Sequence, residues 1–210
     1  MNQVTADGEE HFPFFCGTKL NVVLSLIDFI HQAVKKTVWP ENRVRSTFAR
    51  RTAAQVLADG DTLAFGPCPD RTLVALNVLR LHDINPSVVY HERRVPGFGP
   101  STAHLALEMD LDGEPFFMDF GSRESRLMQG GYYYSPQIEE TLVLKRITRE
   151  FIGVDLARLT PYQLLGAVTS ERLDLEQKYR YYAERGARTT EVTIPDTLVF
   201  ERKYSIYNKL

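Results

Sequence analysis

The 210-residue chain is 43% apolar and 11% aromatic, enough to bury one core, whereas two full domains would be cramped. Its 25 basic and 27 acidic residues leave a formal charge of -2, which gives no general electrostatic reason to bind nucleic acid or an anionic membrane. Residues 1–10 lack the basic start and apolar core of a signal peptide, and no apolar stretch approaches membrane-spanning length, so a soluble, cytoplasmic protein is expected.

Residues 18–36 place Leu20, Val23, Leu24, Ile27, Ile30 and Val34 at helical spacing and end in Lys35-Lys36, where basic charge suits a helix C-terminus. After Trp39-Pro40, residues 41–59 resume a mixed helical pattern that closes at Gly60. From Pro69 to about His82 the residues Leu73, Val74, Ala75, Leu76, Val78, Leu79 and Leu81 leave few polar positions, which predicts a buried helix with proline at its first position. Ser87–Tyr90 has the composition of a strand, and residues 95–100 are rich in turn formers. Ala103–Leu111 and Glu114–Phe120, separated by Asp112-Gly113, form a strong hairpin signal. Residues 140–147 predict another strand. Thr160-Pro161-Tyr162-Gln163 has the form of a capping box, opening a helix over most of 161–185 before Gly186. The last 20 residues, with Val192, Ile194, Leu198 and Val199, can add a strand. No repeat, low-complexity tract or linker divides the chain, so a single domain over 1–210 is expected: a helical part at 1–60, a core at 61–125 and an elaboration at 126–210.

The chemistry centres on Cys68. It stands at a reversal, Phe65-Gly66-Pro67-Cys68-Pro69-Asp70, directly before the apolar helix. A thiol there feels the positive end of the helix dipole and unpaired backbone N–H groups, both of which favour the thiolate. Only Cys16 and Cys68 are present, too few for a disulfide scaffold or a four-cysteine metal site, and a bridge between them would block the thiol. A histidine and a carboxylate follow in order, His104 and Asp119. Strand alternation puts His104, Ala106 and Glu108 on one face, and Asp119 with Phe117 and Pro115 on one face of the partner strand. A two-residue turn at Asp112-Gly113 sets Leu111 opposite Glu114 and makes Asp119 the diagonal neighbour of His104. A register two residues different would put them directly opposite. In either case the carboxylate can hold the imidazole while the other ring nitrogen serves the thiol.

Gly66-Pro67-Cys68-Pro69-Asp70, the Leu76–Asn85 stretch, His104-Leu105-Ala106-Leu107-Glu108 and Phe116-Phe117-Met118-Asp119 together resemble the catalytic core of the transglutaminase-like superfamily of papain-type cysteine enzymes. The resemblance implies an α+β, papain/transglutaminase-like fold. N-terminal helices accompany a central buried helix carrying the cysteine, packed on an antiparallel sheet carrying the histidine and aspartate. It also implies Cys68 as nucleophile, His104 as general base and acid, and Asp119 as orienting carboxylate. Asp119-Phe120-Gly121 is similar to the aspartate segment of arylamine N-acetyltransferases, a branch of the same superfamily, for which acetyl-CoA would be the co-substrate.

The expected function is a cysteine-dependent acyl transferase or hydrolase acting on an amide or thioester carbonyl, with a small-molecule amine, a peptide or a protein amide as substrate. No resident cofactor or metal, no nucleic acid and no membrane partner is expected, and the sequence leaves the oligomeric state open. The alternatives are acetyl-CoA-dependent N-acetylation and a binding module without catalysis.

The remaining features weigh less. Asp70 reads as a helix-start residue whose charge would oppose a neighbouring thiolate. His82 suits a helix C-terminus, His31 lies within the first helix, and His91 is the rival to His104. A metal site from His91, His104 and Glu108 lacks a close-spaced ligand motif. Tyr132–Tyr134 and Arg93-Arg94 are candidates for a cleft rim.

Overall fold

The structure, a computed structural model, describes residues 18–64, 66–94, 102–120, 124–129, 142–169 and 197–198. Helix α1, Lys19–Ala33, is capped by the Thr18 side chain, which accepts from the Asn21 N–H, and buries Val22, Val23, Leu26, Ile27 and Ile30. It stops short of Lys35 because Lys35–Thr37 (β1) pairs in parallel with Asp61–Leu63 (β2). Three-residue strands carry no periodicity of their own, so only the tertiary pairing creates them.

The stretch expected as one helical pattern over 41–59 is two helices, α2 (Glu41–Thr47) and α3 (Ala53–Asp59). Between them Ala49 has a φ of 58°, and Thr52 opens α3 with a capping box to Gln55. Gly60 closes α3 in the left-handed conformation, φ 68°, which glycine adopts without the penalty of a Cβ.

The organising element is α4, Cys68–Leu81, in which Leu73, Val74, Ala75, Leu76 and Leu79 have no solvent exposure. It packs against α1, α3 and α5 (Pro161–Thr169) and against strands β4 (Thr102–Leu111) and β5 (Glu114–Phe120). A helix apolar on most of its circumference has to be surrounded in this way. Arg71 of α4 is fully buried and donates from Nε and Nη2 to the Val34 carbonyl at 3.1 and 2.6 Å, which ties the end of α1 to the start of α4.

The sheet has the order β7-β3-β4-β5-β6-β8, with β3 Ser87–Arg94, β4 Thr102–Leu111, β5 Glu114–Phe120, β6 Glu124–Gln129, β7 Leu142–Arg149 and β8 Thr197–Leu198. All neighbours are antiparallel except β6 and β8, which are parallel. The β4–β5 register pairs Leu111 with Glu114, and Asp112 and Gly113 both have positive φ, 57° and 87°, as a type I′ turn requires. The Asp110 carboxylate accepts from the Gly113 N–H at 2.7 Å.

Leu105, Leu107, Met109 and Leu111 of β4 join Phe116, Met118 and Phe120 of β5 in the main core with the helices. Ala106, Phe117 and Val89 form a separate buried cluster on the opposite face. The architecture is α+β. The box at Thr160 is present, Thr160 N–H donating to Gln163 Oε1 at 2.9 Å and Gln163 N–H to Thr160 Oγ1 at 3.4 Å. Helix α5 is described to Thr169, and the rest of the helix expected up to residue 185 lies outside the described residues. Among the described residues no helix is long and apolar enough to cross a membrane.

Candidate active site

Gly66 closes a turn by donating its N–H to the Leu63 carbonyl at 3.0 Å, and the Arg71 N–H donates to Pro67 at 3.1 Å to start α4. Cys68 is the first residue of that helix, a free thiol with 8% of its surface exposed. Phe65 and Cys16 lie outside the described residues.

His104 is on β4 and Asp119 on β5, both buried. The ladder pairs Ala106 with Asp119, so Asp119 is the diagonal neighbour of His104, the first of the two registers considered above. His104 Nε2 lies 2.5 Å from Asp119 Oδ1. That contact leaves Nδ1 as the nitrogen for the thiol, and the His104 ring donates to the Cys68 sulfur.

Strand alternation would separate the two partners. His104 points to the face opposite Leu105 and Leu107, which pack beneath the helices. They meet because the β4–β5 ladder ends at the Ala106–Asp119 pair. Leu105, one residue beyond, gives its N–H to the Cys68 sulfur and its carbonyl to Thr72 Oγ1 at 3.5 Å. The first turn of α4 thus sits where the two strands part, and the thiol reaches round to the imidazole.

Electrostatics follow from this placement. Burial alone pushes the Cys68 thiol up, but the charge of His104, its hydrogen bond and the Leu105 N–H outweigh both burial and the opposing charge of Asp119. The thiol therefore ends below its ordinary value, which is unusual for a cysteine this deeply enclosed.

No family model, curated protein or solved structure matches this chain.

Asp70 corrects an expectation. It is not merely a helix-start residue: its carboxylate turns to Arg51, with Nη2 donating to Oδ2 at 2.5 Å, and accepts from Thr62 Oγ1 at 2.9 Å. Burial pushes the Asp70 carboxyl up, against the pull of Arg51 and Thr62. Arg51 also donates to Asp59 at 2.8 Å and stacks over Trp39, 4.7 Å from the ring centroid. Asp61 in turn takes both guanidinium nitrogens of Arg43 at 2.8 Å and the Trp39 Nε1–H at 3.2 Å. Arg51 was not singled out in the sequence, since a pair 19 residues apart obeys no spacing rule. The usable signal was a carboxylate inside a run of buried positions, which calls for a cation.

His91 is the register partner of His104 on β3, but its side chain and those of Arg93 and Arg94 lie outside the described side chains. Tyr132–Tyr134 lie outside the described residues. No group of three or more His, Cys, Asp or Glu suited to hold a metal occurs among the described residues. His82 stands at the C-terminal end of α4, and His31 is in the last turn of α1.

Proposed function

We propose that this chain is a thiol-dependent acyl-transfer enzyme of papain/transglutaminase-like architecture. Cys68 is the nucleophile, His104 the proton carrier and Asp119 the carboxylate that orients it. The observation that carries the reading is a buried thiol held below its ordinary value by a histidine that is itself bonded to a buried aspartate. A structural cysteine in an apolar enclosure would be pushed the other way.

The Cys68 thiolate attacks an amide or thioester carbonyl, forming a C–S bond and a tetrahedral oxyanion. Protonated His104 delivers its Nδ1 proton to the leaving amine or thiol as the C–N or C–S bond of the substrate breaks. The acyl-enzyme remains. Neutral His104 then takes a proton from the acceptor, whose oxygen or nitrogen attacks the thioester and restores the Cys68 thiolate and the imidazolium. Water as acceptor gives hydrolysis, and an amine gives acyl transfer. Asp119 fixes the tautomer and stabilises the charged ring throughout. Backbone N–H groups at the start of α4 supply part of the oxyanion site, to which Pro69 contributes none.

Product analysis tests the assignment. The chain is incubated separately with acetyl-CoA and an arylamine, and with a glutamine-bearing peptide and a primary amine, and products are identified by mass spectrometry. Turnover that depends on Cys68 and His104 in either mixture supports the acyl-transfer reading, and the productive mixture identifies the branch. A folded protein with an unreactive Cys68 and no turnover would make the chain a binding module.

A further inference from the structure

Leu105 joins α4 to the sheet directly behind the nucleophile. In the β4–β5 ladder the two-residue turn makes Leu111–Glu114 a hydrogen-bonded pair, so Met109–Phe116 and Leu107–Met118 follow as hydrogen-bonded pairs, and Leu105 with Phe120 would be the next. The ladder stops one step short of that, at Ala106–Asp119, and Phe120 is paired with Ser125 of β6. The N–H and C=O of Leu105 lie on the same side of the strand, so both face the gap that this leaves. Helix α4 fills the two places. The Cys68 sulfur accepts from the Leu105 N–H where a Phe120 carbonyl would have done so, and Thr72 Oγ1 donates to the Leu105 carbonyl at 3.5 Å where a Phe120 N–H would have done so. Cys68 and Thr72 are four residues apart and so share a face of α4. Thr72 and Leu105 have no solvent exposure, so bulk water does not compete for either contact. We propose that Thr72 is a positioning residue for the nucleophile: its hydroxyl holds the Leu105 peptide in the orientation that keeps the N–H aimed at the Cys68 sulfur. This rests on the acyl-transfer reading above.

Thr72 brings no charge of its own to the site. Among the described residues the charged groups that bear on the sulfur are His104 of β4 and Asp119 of β5, and Asp70 on the same helix is paired with Arg51. Removing the Thr72 hydroxyl leaves all of these in place, so its effect on the sulfur passes through the Leu105 peptide. At 3.5 Å the Thr72–Leu105 bond is a weak one. Its loss therefore loosens the Leu105 N–H without removing it, and the expected effect is small.

The test is the pH dependence of Cys68 alkylation by iodoacetamide, a neutral reagent, read by peptide mass spectrometry on the full chain. It is run on wild type, Thr72→Val and Thr72→Ser, with circular dichroism confirming the fold. Valine keeps the branched shape and drops the hydroxyl, whereas serine keeps the hydroxyl and drops the methyl group. The midpoint rises by about half a unit in Thr72→Val, or roughly threefold in rate at fixed pH below the midpoint, and stays at the wild-type value in Thr72→Ser. A wild-type midpoint in Thr72→Val would overturn the proposal even if the melting temperature falls, and leave the hydroxyl a purely structural group. An equal displacement in both variants would overturn it as well, because the hydroxyl would not be the operative group. If Thr72→Val does not fold, Thr72→Ala takes its place on the same terms. His104→Ala separates the levels. If that variant does not raise the midpoint, the acyl-transfer reading fails and this inference falls with it; if it does and Thr72→Val stays at wild type, only this inference fails.

Discussion

Replacing His104 with alanine removes, in one change, the charge and the hydrogen bond that hold the Cys68 thiol down. What remains is burial, the strongest influence on the thiol and an upward one, with the Asp119 charge acting in the same direction. The downward influences left are the Leu105 N–H, which is weaker than burial, and the N-terminal end of α4. The midpoint of Cys68 ionisation therefore moves from below the ordinary value of 9.0 in the wild type to above it in the variant. A thiol at that ordinary value is ionised in about one molecule in a hundred at pH 7, and each unit between the two midpoints costs about tenfold in thiolate.

The assay is the alkylation rate of Cys68 by iodoacetamide across pH, with thermal denaturation as a check that the variant folds. The sign for stability follows from the same difference. A group whose folded value is depressed contributes stability above its unfolded value and loses it as pH falls through the folded value. Wild type thus gains stability relative to Cys68→Ala as pH rises toward the ordinary thiol range, and His104→Ala does not show this gain. Equal alkylation midpoints in wild type and His104→Ala would refute the reasoning, because they would mean that the ring exerts no hold on the sulfur.

Asp119→Asn keeps the side chain's size but gives up the charge that steadies a protonated His104; acyl-enzyme formation falls by about a hundredfold or more, measured by single-turnover kinetics, while the melting temperature changes little. Gly113→Ala forces a side chain into φ 87° at the tip of the hairpin that sets the His104–Asp119 register. The cost is about 1 kcal/mol, seen as a drop of roughly 2–4 °C in melting temperature, with the Cys68 alkylation midpoint unchanged in the folded protein. Leu76→Ala, at a fully buried position on α4, costs about 2–5 kcal/mol in denaturant unfolding.

The hairpin was legible because Asp112-Gly113 is a local signal; two registers were compatible with it, and positive φ at both positions with Leu111 opposite Glu114 selects the one that makes Asp119 the diagonal neighbour of His104. The central helix was equally legible, since an unbroken apolar stretch behind a proline admits few other solutions. What the sequence concealed is non-local. Strands β1 and β2 have three residues each and exist only through their mutual pairing. Strand β6, Glu-Ser-Arg-Leu-Met-Gln, carries no alternating pattern, and the sheet imposes its conformation through β5. The break between α2 and α3 turns on Ala49, a residue of high helix propensity held at positive φ by its surroundings. The same limit applies to the site: Cys68, His104 and Asp119 could be proposed from order and parity, but the gap where β4 and β5 part, and the turn of Asp70 toward Arg51, depend on contacts between distant segments.

The most direct test of the central claim is to trap the covalent intermediate. The chain is mixed with p-nitrophenyl acetate, quenched in acid within the first turnover and mapped by peptide mass spectrometry. The account predicts one hydroxylamine-labile acetyl group on Cys68, absent in Cys68→Ser and formed more slowly in Asp119→Asn. A folded protein that releases p-nitrophenol with no acyl group on Cys68, or that is acetylated equally in His104→Ala, would contradict it.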